Sequence, residues 1–244
     1  MPVYVLTGAN RGLGLEFVRQ LSANSNNKII AAVRSLSNDL TDLKALNDSN
    51  KNIHILECDT GDVNSITSFV QACANLLFDD GQKIDFLLNN SGINDVPEQT
   101  SLSIGEEDLA RHISINVLGP AKTVQAFHAS SLLSPNVRIL NMTSGLGSME
   151  KSATMTPRKC TTYSISKAAL NMLTVHQGEE LREKGLPGAV VICMDPGWVK
   201  TRMGGEDALI EAEESIGGML RVLHGLSKED TASFWTYSGE KVPW

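Results

Sequence analysis

Short apolar runs alternate with longer amphipathic segments along most of the chain. The short runs are rich in valine, isoleucine and leucine, which is typical of strands buried on both faces. The longer segments repeat their apolar residues at helical spacing. The pattern predicts strands at residues 3–6, 28–33, 52–57, 84–88, 137–142, 189–194 and 233–237. It predicts helices at residues 13–23, 38–46, 63–78, 108–132, 161–184 and 215–226.

This alternation predicts the fold class. Strands separated by helices form parallel sheets that are covered by helices on both faces. We therefore expect a single doubly wound α/β domain over residues 1–244, with about seven mainly parallel strands. Residues 144–160 and 201–214 do not fit the alternation, and we expect loops there. Both segments follow strand ends, which is where open α/β sheets bind their ligands.

Charge and cysteine usage exclude several classes of partner. The formal net charge of −7 argues against general nucleic-acid binding. The first residues do not resemble a secretory signal, and no apolar stretch approaches the roughly 18 residues of a membrane span. The four cysteines (Cys58, Cys73, Cys160 and Cys193) are widely spaced and form no cluster with histidine. We expect a cytoplasmic protein with reduced thiols, no metal and no membrane partner.

A glycine-rich segment lies between the first predicted strand and the first predicted helix. Glycines permit a tight turn and a close approach of the backbone to a pyrophosphate. The start of the helix adds free N–H groups that favour an anion. An ordinary turn is the alternative, but the strand–turn–helix context favours a dinucleotide site. The predicted contacts are Gly8, Asn10, Arg11, Gly12, Leu13 and Gly14.

Tyr163 and Lys167 are four residues apart in a predicted helix. Side chains at this spacing meet on one helix face. The lysine ammonium favours the phenolate, so we expect the pKa of Tyr163 to be lowered, as suits a general acid or base. The spacing occurs by chance on many helices, so its meaning depends on the rest of the chain.

Several motifs in order resemble those of the short-chain dehydrogenase/reductase family. The glycine spacing of residues 8–14 is the form found in that family rather than the commonest dehydrogenase form. The later motifs are Asn89-Asn90-Ser91-Gly92, Asn116, Thr143-Ser144, Tyr163 with Lys167, and Pro196-Gly197. Residues 10–15, 141–144, 196–201, 203–205 and 243–244 are most similar to carbonyl reductases of the sniffer and C-factor type. The resemblance implies a Rossmann-type fold that binds a nicotinamide nucleotide.

The end of the second strand indicates which nucleotide. In this family an acidic residue there binds the ribose hydroxyls of NAD. This chain has Arg34 instead, and Arg11 is expected near the same ribose. Two guanidinium groups suit a 2′-phosphate, so we predict NADP(H), although solvated surface arginines are the alternative.

The resemblance implies further cofactor contacts. Asp59 is expected to bind the adenine amino group with help from the backbone of Thr60, although a helix N-terminal cap is the alternative for Asp59. The remaining implied contacts are Asn90, Ser91, Gly92, Tyr163, Lys167, Pro196, Gly197, Val199 and Thr201.

The resemblance also implies the catalytic groups of a carbonyl reductase. The nicotinamide supplies the hydride. Tyr163 is expected to donate the proton and Ser144 to polarise the carbonyl oxygen. Lys167 is expected to lower the pKa of Tyr163 and to hold the nicotinamide ribose. Asn116 is expected to anchor a water of a proton relay, with a helix bend or core packing as the alternative.

The sequence indicates the substrate less clearly than it indicates the reaction. Ile93, Trp198 and Met203 are candidates for an apolar wall, with core packing as the alternative for each. Ser144 precedes Tyr163 by 19 residues, more than is common in the family, so the extra residues are expected to alter the substrate entrance. Ser148 is a rival for the role of Ser144.

We therefore expect NADPH-dependent reduction of an aldehyde or ketone. The alternatives are an NAD(P)-dependent secondary-alcohol or steroid dehydrogenase, and a dinucleotide-dependent signalling protein. The expected partner is a small carbonyl compound, and the resemblance implies a homodimer that pairs through the helix of Tyr163.

Overall fold

The structure is a computed structural model that describes residues 1–79 and 81–244. Within these residues seven strands form one sheet. They are β1 Val3–Thr7, β2 Lys28–Val33, β3 Ile53–Glu57, β4 Ile84–Asn89, β5 Leu133–Met142, β6 Val190–Asp195 and β7 Ser233–Thr236. Their order is β3-β2-β1-β4-β5-β6-β7, and every neighbouring pair is parallel. The prediction of a Rossmann-type doubly wound α/β fold is confirmed.

Helices lie along both faces of the sheet. They are α1 Gly12–Ser22, α2 Thr41–Ser49, α3 Val63–Phe78, α4 Glu106–Ile113, α5 Gly119–Ala129, α6 Met149–Thr154, α7 Thr161–Glu183 and α8 Ala212–Gly225. Alternate residues of each strand point to opposite faces. In β1, Tyr4 and Leu6 therefore join the core with α1 and α8, whereas Val3 and Val5 join the core with α3 and α5.

The segment predicted as one helix at 108–132 is interrupted. Helices α4 and α5 are joined by a π-helical turn, Ser114–Leu118, which the sequence analysis did not predict. Strand β5 also begins earlier than residue 137. Leu133 already pairs with Ile84, and an irregular register precedes the regular pairing of Phe86 with Arg138.

The predicted loop at 144–160 is partly helical. It contains a 3₁₀ turn, Gly145–Gly147, and the short helix α6. Ser148 caps α6 by accepting a hydrogen bond from the Lys151 amide at 3.1 Å, and it donates to the Pro243 carbonyl at 2.7 Å. The segment at 201–214 is irregular as expected until α8 begins at Ala212.

The carboxyl ends of β1, β4, β5 and β6 meet at one edge of the sheet, because all strands run in the same direction. The glycine loop and the motifs at 89–92, 143–144 and 196–197 follow these ends. Among the described helices, none is long and apolar enough to cross a membrane.

Candidate functional site

The glycine loop is packed too closely for side chains at two positions. A Cβ on Gly14 would overlap the carbonyl oxygen of Gly8 and lie 2.8 Å from Asn90 Nδ2. Gly8 has a φ of +72°, which L side chains rarely adopt. Asn90 Nδ2 donates to the Thr7 carbonyl at 2.9 Å and ties the loop to the end of β4. The glycines thus bring the start of α1 directly against the sheet edge.

The start of α1 fits a pyrophosphate. Arg11 precedes the helix with extended backbone, and among the described side chains none caps the helix. The first N–H groups of an uncapped helix carry a partial positive charge and can bind an anion. Asn10 and Leu13 lie within this same turn.

Arg11 and Arg34 are exposed at the same edge of the sheet. Arg34 follows β2 directly, where the sequence predicts the adenosine ribose. Glu57, at the end of the adjacent β3, accepts a hydrogen bond from the Leu36 amide at 2.8 Å and so orders the turn after Arg34.

Asp59 and Thr60 follow β3. Asp62 caps α3, with its carboxylate accepting from the Asn64 amide at 2.9 Å, so the alternative of Asp59 as that cap is wrong. Asp59 instead accepts from the Gly61 amide at 2.9 Å. Thr60 is buried. The turn therefore holds the carboxylate of Asp59 at the carboxyl end of β3.

Asn116 and Lys167 meet beside Gly92. A Cβ on Gly92 would lie 3.3 Å from Asn116 Oδ1 and 3.4 Å from Lys167 Nζ. Asn116 accepts from the Ile93 amide at 2.8 Å and donates to Ser166 Oγ at 2.9 Å. Asn116 lies in the π-helical turn and is fully buried. Its position therefore agrees with the structural alternative, a helix bend or core packing, and the proton-relay role stays a prediction.

Lys167 is only 2% exposed. Its Nζ donates to the Met142 carbonyl at 2.7 Å and lies 5.5 Å from the centre of the Tyr163 ring. Burial lowers the pKa of Lys167 to about 7, and the nearby Cys193 thiol partly opposes that change. In the polypeptide alone, the lysine therefore loses its proton far more readily than a lysine in water.

Tyr163 occupies the first turn of α7. Burial raises the pKa of its phenol above the usual value, the charge of Asp195 raises it further, and a hydrogen bond with Ser144 partly opposes the rise. The expectation that Lys167 lowers this pKa is wrong for the polypeptide alone. The same burial that disfavours the phenolate also removes charge from the lysine. Tyr163 is thus a protonated phenol at neutral pH.

Ser144 directly follows Thr143 at the end of β5 and lies within reach of the Tyr163 phenol. Its Oγ also accepts from the Leu146 amide at 3.2 Å. The rival Ser148 is fully buried and is occupied in the structural contacts with α6 and Pro243. The structure therefore brings Ser144, and not Ser148, to the phenol.

The segment after β6 borders the glycine loop. Gly197 has a φ of +78°, and the Pro196 carbonyl accepts from Ser215 Oγ at 2.7 Å. A Cβ on Gly12 would lie 3.6 Å from the Thr201 methyl group, so the two loops are in contact. Val199 is buried and pairs with Ile210.

The predicted substrate residues differ in their exposure. Trp198 and Met203 are 53% and 52% exposed, so core packing is wrong for both. Trp198 Nε1 donates to the Gly204 carbonyl at 2.7 Å, which fixes the indole on its own loop. Ile93 is half-buried beside Asn116.

Two residues near the phenol were missed by the sequence analysis. Asp195 ends β6, and Cys160 precedes α7 in the left-handed conformation, with a φ of +58°. Both contribute to the raised pKa of Tyr163. The position of Asp195, directly before Pro196-Gly197 at a strand end, is the signal that could have identified it.

Known proteins resemble this chain over most of its length. A family model described as short chain dehydrogenase matches residues 2–210. The C-signal protein of Myxococcus xanthus is 37% identical over 164 residues, which cover 66% of this chain and 93% of that protein.

Solved structures agree with this match. An NADPH-bound carbonyl reductase from chicken fatty liver has a TM-score of 0.89 and 32% identity, with all of both chains covered. The carbonyl reductase Sniffer of D. melanogaster has a TM-score of 0.89 and 27% identity, again with both chains fully covered. The chain belongs to the short-chain dehydrogenase/reductase family.

Proposed function

We propose that this protein reduces an aldehyde or ketone with NADPH. The observation that carries the proposal is the placement of the Tyr163 phenol beside the Ser144 hydroxyl, with Lys167 5.5 Å from the ring centre, at the sheet edge that the glycine loop also borders. A phenol that keeps its proton at neutral pH is suited to protonating a developing alkoxide. Carbonyl reductases are among the solved structures that this chain resembles.

The catalytic roles follow from the surroundings of each group. Ser144 donates a hydrogen bond to the carbonyl oxygen, and Tyr163 gives that oxygen its proton. Lys167 is the next titratable group behind the phenol and reprotonates or orients it. Asn116 holds the strand end at Ile93 and the α7 hydroxyl of Ser166, and so fixes the distance between the two walls of the site. NADPH, when bound, supplies the hydride.

The nucleotide contacts are proposed at the same edge. The uncapped start of α1 and the glycine loop hold the pyrophosphate. Arg11 and Arg34 bind the 2′-phosphate, which favours NADPH over NADH. The turn at Asp59 and Thr60 binds the adenine. The residues at 90–92 and 196–201 border the ribose and the nicotinamide. In this proposal one domain, residues 1–244, contains both the nucleotide site and the catalytic residues.

A panel of carbonyl compounds tests the proposal. Aldehydes, quinones, diketones and ketosteroids are incubated with the protein and NADPH, and nucleotide consumption is followed by absorbance with NADH as the control. We expect NADPH-dependent turnover of at least one class. The absence of turnover with every class would overturn the proposed activity.

A signalling role is the second candidate, because a protein named C-signal is 37% identical over 164 residues. The two candidates separate with the variant Tyr163→Phe. It should retain nucleotide binding and lose turnover. A cellular effect that survives in this variant would favour signalling independent of turnover.

A further inference from the structure

A carboxylate with no assigned role lies beside the proposed proton donor. Asp195 ends β6, and its Oδ1 accepts from the Gly197 amide at 3.0 Å. Its Oδ2 faces the turn that follows Ser144, because a Cβ on Gly145 would lie 2.9 Å from that oxygen. The backbone and the turn thus hold the carboxylate at the site rather than in bulk solvent.

The charge of Asp195 acts on the reacting group. After burial it is the largest cause of the raised pKa of Tyr163. Burial raises the pKa of the Tyr237 phenol, and the charges of Glu214, Asp195 and Glu240 raise it further. The carboxylate of Asp195 therefore disfavours a second negative charge at the Tyr163 phenol.

One lysine before α7 and one lysine after β6 are paired with glutamates. Lys159 pairs with Glu98 at 3.3 Å, and Lys200 pairs with Glu211. Within the described part of the chain, Asp195 has no cation in ion-pair contact.

The charges on the other elements packed against the site do not neutralise Asp195 either. Arg158 donates to the backbone carbonyls of Ser152 and Ala153. The Nζ of Lys167 donates to the Met142 carbonyl. Neither side chain forms an ion pair with Asp195, so within the described residues its carboxylate has no paired cation beside the turn that follows Ser144.

We propose that Asp195 selects substrates by charge, so that the site accepts neutral or cationic aldehydes and ketones and rejects 2-oxo acids. This inference rests on the proposed function. A carbonyl oxygen that reaches Tyr163 and Ser144 lies within hydrogen-bonding distance of both. The carboxylate of a 2-oxo acid is one bond from that carbonyl carbon, so it enters the field of Asp195. Like charges this close disfavour binding of the acid by about tenfold to a hundredfold.

The exposed apolar side chains that follow Asp195 agree with a neutral substrate. Trp198 and Met203 lie on the next loop and offer apolar surface without charge. Specificity of this kind uses an unfavourable contact with the wrong substrate as well as a favourable one with the right substrate.

The test compares matched substrates in the wild type and in Asp195→Asn with NADPH bound. Asparagine retains the shape and an oxygen that accepts from the Gly197 amide, but has no charge. The substrates are benzoylformate and 2-oxobutanoate, each with its methyl ester. For the acids we expect kcat/KM to rise about tenfold or more in the variant, and for the esters to change less than about threefold.

The variant Glu214→Gln is the matched control. It removes a carboxylate from the same end of the molecule, where it is bonded to the Tyr237 hydroxyl at 3.4 Å, and it should leave the acid-to-ester ratio unchanged. Higher salt should weaken the discrimination in the wild type, because the site is partly open to solvent.

Each outcome has a distinct meaning. An unchanged ratio in Asp195→Asn, or an equal loss for acids and esters, would overturn selection by charge and leave Asp195 with a structural role. If the wild type reduces neither the esters nor any other neutral carbonyl compound, the proposed function fails, and this inference fails with it.

Discussion

The glycine loop at residues 8–14 contrasts with the proposed substrate entrance, which we expect at residues 144–160 and 201–214 and at Trp198. In the loop, backbone packs against backbone, and a Cβ on Gly14 would overlap the Gly8 carbonyl. At the entrance, exposed side chains such as Trp198 and Met203 define the surface. We therefore expect few residue types to be tolerated at Gly14, whereas the exposed side chains of Trp198 and Met203 make few demands on the fold.

This difference explains what each region reveals about function. A loop that must be glycine to pack leaves a recognisable spacing in the sequence. Exposed side chains at an entrance need no fixed spacing along the chain, so the sequence of this region does not identify the substrate. The proposed catalytic residues lie between the two regions: Ser144 follows the end of β5, and Tyr163 and Lys167 lie on α7.

The largest expected effect is that of Tyr163→Phe, which changes the proposed proton donor and leaves the glycine loop as it is. Removal of the phenol proton donor should lower kcat by about a hundredfold to ten-thousandfold. The affinity for NADPH, measured by fluorescence titration, should remain within a factor of about three. The control Tyr237→Phe removes the hydroxyl of a tyrosine outside the proposed site and should keep its activity. Equal activity of the two variants would contradict the assignment of Tyr163.

The next largest effect is expected for Gly14→Ala, which changes the glycine loop and leaves the proposed catalytic residues as they are. The added methyl group would overlap the Gly8 carbonyl and approach Asn90, so the loop must shift. We expect a loss of about 2 to 3 kcal/mol in the free energy of unfolding, together with weaker NADPH binding.

Gly225→Ala is the matched control for that experiment. A Cβ at this position meets nothing within 4 Å, and Gly225 is the last residue of α8. Its unfolding free energy should change by less than about 1 kcal/mol. If chemical denaturation gives similar values for both glycine variants, the close packing of the loop is not important for stability.

Arg34→Asp tests whether the protein prefers NADPH over NADH. The KM for NADPH should rise about tenfold to a hundredfold, because a charge-assisted hydrogen bond to the 2′-phosphate is replaced by repulsion. The KM for NADH should change little. Arg221→Asp makes the same charge change on an exposed face of α8 and should affect neither. Equal increases for both nucleotides in Arg34→Asp would contradict the NADPH preference.

Lys167→Met tests the smallest effect, which is a dependence of stability on pH. Burial lowers the native pKa of Lys167 from 10.5 to about 7, so the unfolded chain binds more protons than the native one between these values. Burial of the lysine lowers the free energy of unfolding by its full amount below about pH 7, and this destabilisation decreases as the pH rises toward about 10.5.

The free energy of unfolding of the wild type should therefore rise, through this group, between about pH 6 and pH 9 by at least about 1 kcal/mol more than that of Lys167→Met. Urea denaturation at the two pH values measures the difference. The lost hydrogen bond to the Met142 carbonyl costs the same at both values and cancels. Parallel pH profiles would show that Lys167 remains fully charged in the folded protein.

The fold was predictable because its strands are buried apolar runs. The start of β5 was not, since Ser134, Pro135 and Asn136 interrupt that run although they lie within the strand. The break between α4 and α5 was also hidden, because a π-helical turn adds no recognisable residue pattern.

The residues of the candidate site were predictable by resemblance, but their electrostatics were not. The spacing of Tyr163 and Lys167 predicts that the two meet, and it does not reveal how deeply they are buried. That burial reversed the expected direction of the pKa shift of Tyr163. Asp195 was missed because a single carboxylate at a strand end has no motif of its own. Its importance depends on Ser144 and Tyr163, which only the fold brings beside it.

Transfer of deuterium tests the central claim most directly. The protein is incubated with a neutral carbonyl substrate and with NADPH that carries deuterium at the transferred position, and the alcohol product is analysed by mass spectrometry. The account predicts one deuterium on the carbinol carbon of the product with the wild type, and almost no product with Tyr163→Phe. Consumption of NADPH without deuterium in the product would contradict the proposed hydride transfer.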